Sequence, residues 1–150
     1  MIRPSTVAEL EAAPTFAALL AEYGAESAIE GLPPPSARME TYRALNAAGV
    51  LHVLAAWTGD VLVGFITVLA APLPHYARTV AVSESFFVAK ASRSTGAGLK
   101  LLRAAEDKAR ELGSPGLLVS APFEGNLFRV LPRVGYSEVG RTFFRKVTDD

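Results

Sequence analysis

The clearest chemistry in the sequence lies in a short loop, Arg93-Ser94-Thr95-Gly96-Ala97-Gly98. Its two glycines are spaced to bare consecutive backbone N–H groups where a helix begins. Such groups, backed by the positive end of the helix dipole, suit a phosphate or pyrophosphate. A Cβ at these positions would hold phosphates away from the backbone. A glycine-softened turn without a ligand is the plain alternative. The loop lacks the lysine and Ser/Thr of a Walker motif and the full dinucleotide fingerprint, so a nucleotide-binding domain ranks lower.

The loop needs a strand before it and a helix behind it, and both are legible. Thr79 to Val88 is strand-like. Leu99, Leu102, Ala105, Ala109 and Leu112 form an apolar helical stripe, with Arg103/Asp107 and Glu106/Arg110 as i,i+4 pairs on the wet side and Gly113 as the stop. Leu117 to Ala121 follows as a short buried strand, and strand, crossover helix and strand imply a parallel pair. Further upstream, Leu51, Val53, Ala55 and Trp57 alternate, and Gly59-Asp60 makes a hairpin into Val61 to Leu69. Pro72 and Pro74 should end that strand.

At the start, Ile2-Arg3-Pro4 suggests a short strand and Thr6 with Glu9 a capping box. Pro14 should break the first helix. Phe16, Leu19, Leu20 and Tyr23 then share a face, with Gly24 as a stop. After the triple proline, Ser36 would cap a helix bearing Met39 and Tyr42 and ending near Gly49. A short helix starts near Asn126, and Tyr136 to Val147 supplies a last strand or hairpin. The predicted fold is an α/β mixed (α+β) domain over residues 1–150, with helices on both faces of a mixed sheet.

Composition narrows the function classes. At 150 residues, 50% hydrophobic and 20% charged, the chain is an ordinary globular domain with one core. It has no cysteine and two histidines, which excludes thiolate chemistry and leaves little for a metal site; no metal is expected. Zero formal net charge argues against nucleic acid. The first residues lack a signal-peptide pattern, and the most apolar run, Val61 to Leu73, is too short to span a bilayer. The expectation is a cytoplasmic protein acting without membrane or nucleic acid.

The order of elements, with the glycine loop in its place, resembles the GNAT superfamily of acyl-CoA N-acyltransferases. Val88 is followed five residues later by Arg93, then Gly96 and Gly98, with Leu101 and Leu102 behind. Leu117-Leu-Val-Ser120, Asn126 and Gly135-Tyr136 continue the likeness, which covers roughly Val50 to Lys146. The resemblance implies a mostly antiparallel mixed sheet of about six to seven strands with a splayed parallel pair. It also implies acetyl-CoA as acyl donor in the splay and a direct transfer to a primary amine. Val88, Ala89 and Lys90 would offer backbone groups to the thioester and pantetheine. The loop, Arg93, Ser94, Thr95, Gly96, Ala97 and Gly98, would hold the pyrophosphate, and the Asn126 side chain would bond the pantetheine amides.

Glu84, four residues before Val88, stands where relatives often carry a base. In strict alternation it shares a face with Val80, Val82, Phe86 and Val88, and an apolar setting would raise its pKa towards neutrality. A solvated carboxylate is the competing reading, favoured by any bulge. Many relatives carry a tyrosine acid where this chain has Leu131. Ser120, Tyr136 and Tyr76 are substitutes by type. That departure keeps a second reading open, a non-catalytic acyl-CoA-binding sensor or interaction module. A small-molecule amine is the expected acceptor, and Phe143 and Phe144 on the last strand suggest a homodimer contact.

Overall fold

The alternation that begins at Leu51 does build a sheet. The computed structural model describes residues 1–32, 39–123 and 125–149, so the expected cap Ser36 and the triple proline Pro33 to Pro35 lie outside the described residues. Strands β1 (Ile2–Ser5), β2 (Leu51–Thr58), β3 (Val61–Leu73), β4 (Arg78–Val88) and β5 (Leu117–Val119) form one sheet in the order β1-β2-β3-β4-β5. The first four are antiparallel neighbours, and β4 pairs with β5 in parallel. The mixed sheet with a parallel pair is as expected, with five strands in place of six to seven.

Helices α1 (Val7–Ala12), α2 (Phe16–Glu26) and α3 (Met39–Ala47) pack on one face, and α4 (Ala97–Glu111) on the other. Beneath α4, Ile66, Val68, Leu101 and Leu102 are buried. Beneath α1–α3, Leu10, Leu51 and Phe65 are buried, with Phe16 and Tyr23 edge-on to Phe65 at 5.9 and 6.2 Å. Among the described residues no helix is long and apolar enough to cross a membrane.

Local signals were mostly followed, with instructive exceptions. Thr6 Oγ1 accepts the Glu9 N–H at 3.1 Å, but the Glu9 carboxylate pairs with Arg3 at 2.8 Å instead of returning to Thr6. Gly24 does not stop α2, which continues to Glu26. Pro72 lies within β3, opposite Thr79. β2 leaves β3 after Leu69, so this extension has a neighbour on one side and tolerates proline as an edge does. On α4 the ion pairs form at i,i+3, Arg103–Glu106 at 3.0 Å and Asp107–Arg110 at 2.5 Å, rather than at i,i+4.

The expected last strand is not there. Residues 137–149 have no regular structure, and Phe143 is 88% exposed. Tyr136 instead ends a short helical stretch, α5 (Asn126–Val130) followed by a 3₁₀ turn (Leu131–Val134).

Gly64 sits where β3 leaves no room beside β4. It lies opposite Val88, and a Cβ there would stand 2.9 Å from the Phe87 carbonyl oxygen and 3.1 Å from Val88 Cγ2. Backbone cannot yield as a flexible side chain would. Gly64→Ala is therefore expected to destabilise the fold by about 1–3 kcal/mol, seen as a lower urea midpoint.

Candidate active site

The register of β3 on β4 slips in the middle. Ser83 faces Val68 and Ser85 faces Thr67, leaving Glu84 as the extra residue of a β-bulge. This breaks the apolar set predicted for Glu84. Phe86 and Val88 pack on the α4 side. The Glu84 side chain, exposed rather than set among apolar neighbours, turns to the side of α1–α3. There the Tyr42 hydroxyl donates to Oε1 at 2.8 Å, and the Thr67 hydroxyl donates to Oε2 at 3.3 Å. Thr67 Oγ1 also lies 2.7 Å from Ser85 Oγ and accepts the Ser85 N–H at 3.0 Å. Burial and then the Glu84 carboxylate push the Tyr42 phenol well above its ordinary pKa, so it stays a donor. Burial, with Glu84 adding to it, also raises the Tyr23 phenol.

Beyond Ser83 the two parallel strands part. β5 pairs only with Ala81, Val82 and Ser83, while β4 continues to Val88. Ser114 prepares this edge by accepting the Ala81 N–H at 2.9 Å and donating to the Gly116 carbonyl at 2.6 Å. On the β3 side, the Ala89 N–H reaches Val63 O at 2.8 Å, with Val88 opposite Gly64. In an antiparallel ladder that register turns the N–H and C=O of Phe86 and Val88 to the opposite side, into the gap. The open edge thus offers backbone donors without any side chain having to supply them.

The glycine loop closes this gap at one end. Lys90–Thr95 form a 3₁₀ turn, Gly96 adopts φ +81°, and α4 starts at Ala97. That left-handed conformation accounts for glycine at 96. At 98, a Cβ would make only ordinary contacts, 3.8 Å to Val88 Cγ2 and 3.9 Å to Phe86 Cζ. Nothing in the protein's own packing therefore requires glycine at 98. Thr95 Oγ1 donates to Ser92 O at 2.6 Å and caps the Ala97 N–H at 3.4 Å.

Arg93 is a brace in this loop. Its Nε donates to Val88 O at 3.0 Å, and its two terminal nitrogens reach the Glu26 carboxylate on α2 at 2.8 and 2.5 Å. The pair holds the Glu26 carboxyl below its usual range. The guanidinium also lies 5.1 Å from the centre of the Phe87 ring. One turn earlier on α2, Glu22 Oε1 accepts the Lys90 N–H at 3.3 Å.

On the α1–α3 side, a cavity of about 340 Å³ lies beside the bulge. Its walls are mostly apolar, with Leu10, Phe16, Leu20 and Phe65 among them, and Tyr42, Thr67 and Ser85 line its polar end. The arrangement sets a carboxylate between an apolar pocket and an open strand edge that ends in an anion-suited loop.

A family model described as the Acetyltransferase (GNAT) family matches residues 16–127. The chain belongs to the GNAT acetyltransferases. Solved structures agree on the fold at low identity. The ribosomal-protein-alanine N-acetyltransferase of Brucella melitensis biovar Abortus 2308 is 18% identical, with 98% of this chain and 99% of that one covered and a TM-score of 0.71. An aminoglycoside antibiotic 6'-N-acetyltransferase of Acinetobacter haemolyticus is 17% identical, with 100% and 99% covered and a TM-score of 0.71. A transcriptional regulator of Bacillus halodurans C-125 superposes with a TM-score of 0.76 at 20% identity, with 97% of each chain covered. No curated protein sequence matches the chain.

Within this GNAT fold, the remaining candidates fall into place. Leu131 is buried under α4, 8% exposed. Tyr136 donates to Glu106 Oε2 at 2.7 Å, and burial first, then that carboxylate, raises its phenol pKa. Ser120 is exposed, and so is Tyr76, whose ring meets His75 edge-on. Asn126 is the exposed first residue of α5, and the cap position belongs to Gly125. His52 borders α4, its pKa lowered by burial and then by Lys108. Among the described residues no cluster of three or more His, Asp and Glu stands ready for a metal. Thr67 and Ser85 carry no mark of this role in the sequence, and Tyr23 and Tyr42 read there as members of apolar helix faces.

Proposed function

We propose that residues 1–150 form one acyl-CoA N-acyltransferase domain that moves an acetyl or other acyl group from acetyl-CoA directly to the primary amine of a small molecule in the cytoplasm. The bulge at Glu84 carries this reading. It places one carboxylate at a pocket that suits an acceptor, beside an open strand edge that suits a thioester.

Acetyl-CoA supplies the activated acyl carbon. Glu84 takes the proton of the acceptor ammonium, directly or through water, leaving the neutral amine to attack. Tyr42 and Thr67 fix the carboxylate in position. The Val88 N–H faces the gap and serves the oxygen on which negative charge develops. The Ala89 N–H is held by Val63 and the Lys90 N–H by Glu22, so both residues serve pantetheine through the shape of the backbone more than through these donors. Ser94 to Gly98 and the N-terminal end of α4 receive the pyrophosphate. Arg93 holds that loop to β4, and Asn126 bonds the pantetheine amides. With leucine at 131, the coenzyme thiolate departs without a phenol from that position.

Calorimetry with acetyl-CoA, followed by thiol release over a panel of amines, tests the reading. Saturable binding with amine-dependent thiol release is expected. Binding with no release from any amine would establish the sensor instead.

A further inference from the structure

We infer that the acceptor is a monocationic primary amine whose remaining body is apolar, seated with its nitrogen at Glu84 and its body between α1, α2, α3 and β3. The inference rests on the transferase reading above and names the acceptor class for that same site.

Three observations converge on it. First, the cavity of about 340 Å³ is lined along its length by Val7, Leu10, Phe16, Leu20, Met39 and Phe65. That volume falls in the range of small-ligand pockets, about 300–1,000 Å³. Second, none of the described lining side chains carries a charge. The carboxylate that meets this pocket is Glu84, bonded to its lining residues Tyr42 and Thr67. Third, the two nearest acidic residues of α2 are already engaged. Glu26 is paired twice with Arg93, and Glu22 accepts the Lys90 N–H. Neither is a spare partner for a second ammonium.

The chemistry follows from these placements. A polycationic, hydroxyl-rich acceptor would bring several charges and hydroxyls against aliphatic and aromatic walls. Each would lose water without gaining a partner, and a buried unpaired charge is the costliest case. A single ammonium has its counterpart in Glu84, and an alkyl or aryl body gains from burial. Of the lining hydroxyls, those of Tyr42, Thr67 and Ser85 meet at the bulge, and that of Ser27 already donates to the Tyr23 carbonyl at 2.8 Å. They are therefore suited to one nitrogen and not to functional groups spread along a ligand. An aminoglycoside, the acceptor in the name of the Acinetobacter haemolyticus neighbour, has the opposite distribution of charge.

The test compares heptylamine with hexamethylenediamine, which differ by a methyl group in place of a distal ammonium. Isothermal titration and thiol release are measured side by side, with acetyl-CoA titration as the control for the donor site. Heptylamine is expected to win by about a hundredfold in kcat/KM, and shorter alkylamines to fall by about fourfold per methylene removed. Leu20→Glu, which puts a carboxylate in the half-buried wall, should shift the ratio towards the diamine by about tenfold or more. Equal or better use of the diamine or of an aminoglycoside by the native protein would overturn this acceptor class and leave the transferase reading standing. Failure of heptylamine to bind overturns it as well. Heptylamine binding that Leu20→Glu abolishes, with no thiol release from any amine, would uphold the apolar pocket and reject the transferase reading.

Discussion

Glu84→Gln lowers kcat/KM for amine acetylation by about 10²–10⁴-fold, the usual worth of a positioned proton acceptor. The amide has the same shape: its one oxygen still accepts from Tyr42, and its NH2 can donate to Thr67 Oγ1 where the carboxylate accepted, so the bulge persists. What it loses is the capacity to take a proton. The loss should therefore fall on kcat/KM with acetyl-CoA affinity and melting temperature unchanged. If the variant keeps native turnover, the proton leaves by another route and Glu84 is a surface carboxylate. If it loses acetyl-CoA affinity along with turnover, its role is structural.

The second large effect is at the loop. Gly96→Asp weakens acetyl-CoA binding by about a hundredfold, from two separable causes. The left-handed φ of +81° disfavours any side chain, and a carboxylate then opposes a pyrophosphate. Gly96→Asn separates them, because asparagine meets much the same conformational cost as aspartate and brings no charge. About tenfold of the loss should vanish in the asparagine variant, and added salt should partly rescue the aspartate one. Calorimetry gives both numbers. Undiminished binding in Gly96→Asp would remove the pyrophosphate from this loop.

How far the sequence revealed this depends on whether a feature is local. Helix α4, the Gly59-Asp60 hairpin and the parallel return to β5 follow from periodicity, turn residues and connection length, which act over a few residues. The bulge at Glu84 has no such mark. Ser83-Glu84-Ser85 contains neither glycine nor proline, and one extra residue leaves a period-two pattern looking intact on both sides. Its consequence is large, because it moves Glu84 to the opposite face from Phe86 and Val88. Tyr42 was hidden for a similar reason: a tyrosine on an apolar helix face looks like core until its hydroxyl is placed. The expected last strand failed differently. Tyr136 to Val147 has strand composition, but pairing is decided by a distant edge, and β5 is three residues long. The i,i+3 ion pairs on α4 show that charge spacing permits two partners and that local rotamers choose between them.

Helix α2 serves both halves of the molecule. Its Tyr23 and Leu20 wall the acceptor pocket, and its Glu22 and Glu26 are fastened to Lys90 and Arg93 of the donor loop. On the proposed reading both sites lean on this one helix, and any coupling between donor and acceptor would run through it. Thermodynamic reciprocity then fixes the bookkeeping: whatever factor the bound donor adds to acceptor affinity, the acceptor returns to the donor. The Glu26–Arg93 link is in force above the ordinary carboxylate range and is lost as pH falls through the lowered Glu26 value. Cutting it with Glu26→Gln should bring the interaction factor in two-substrate kinetics towards one.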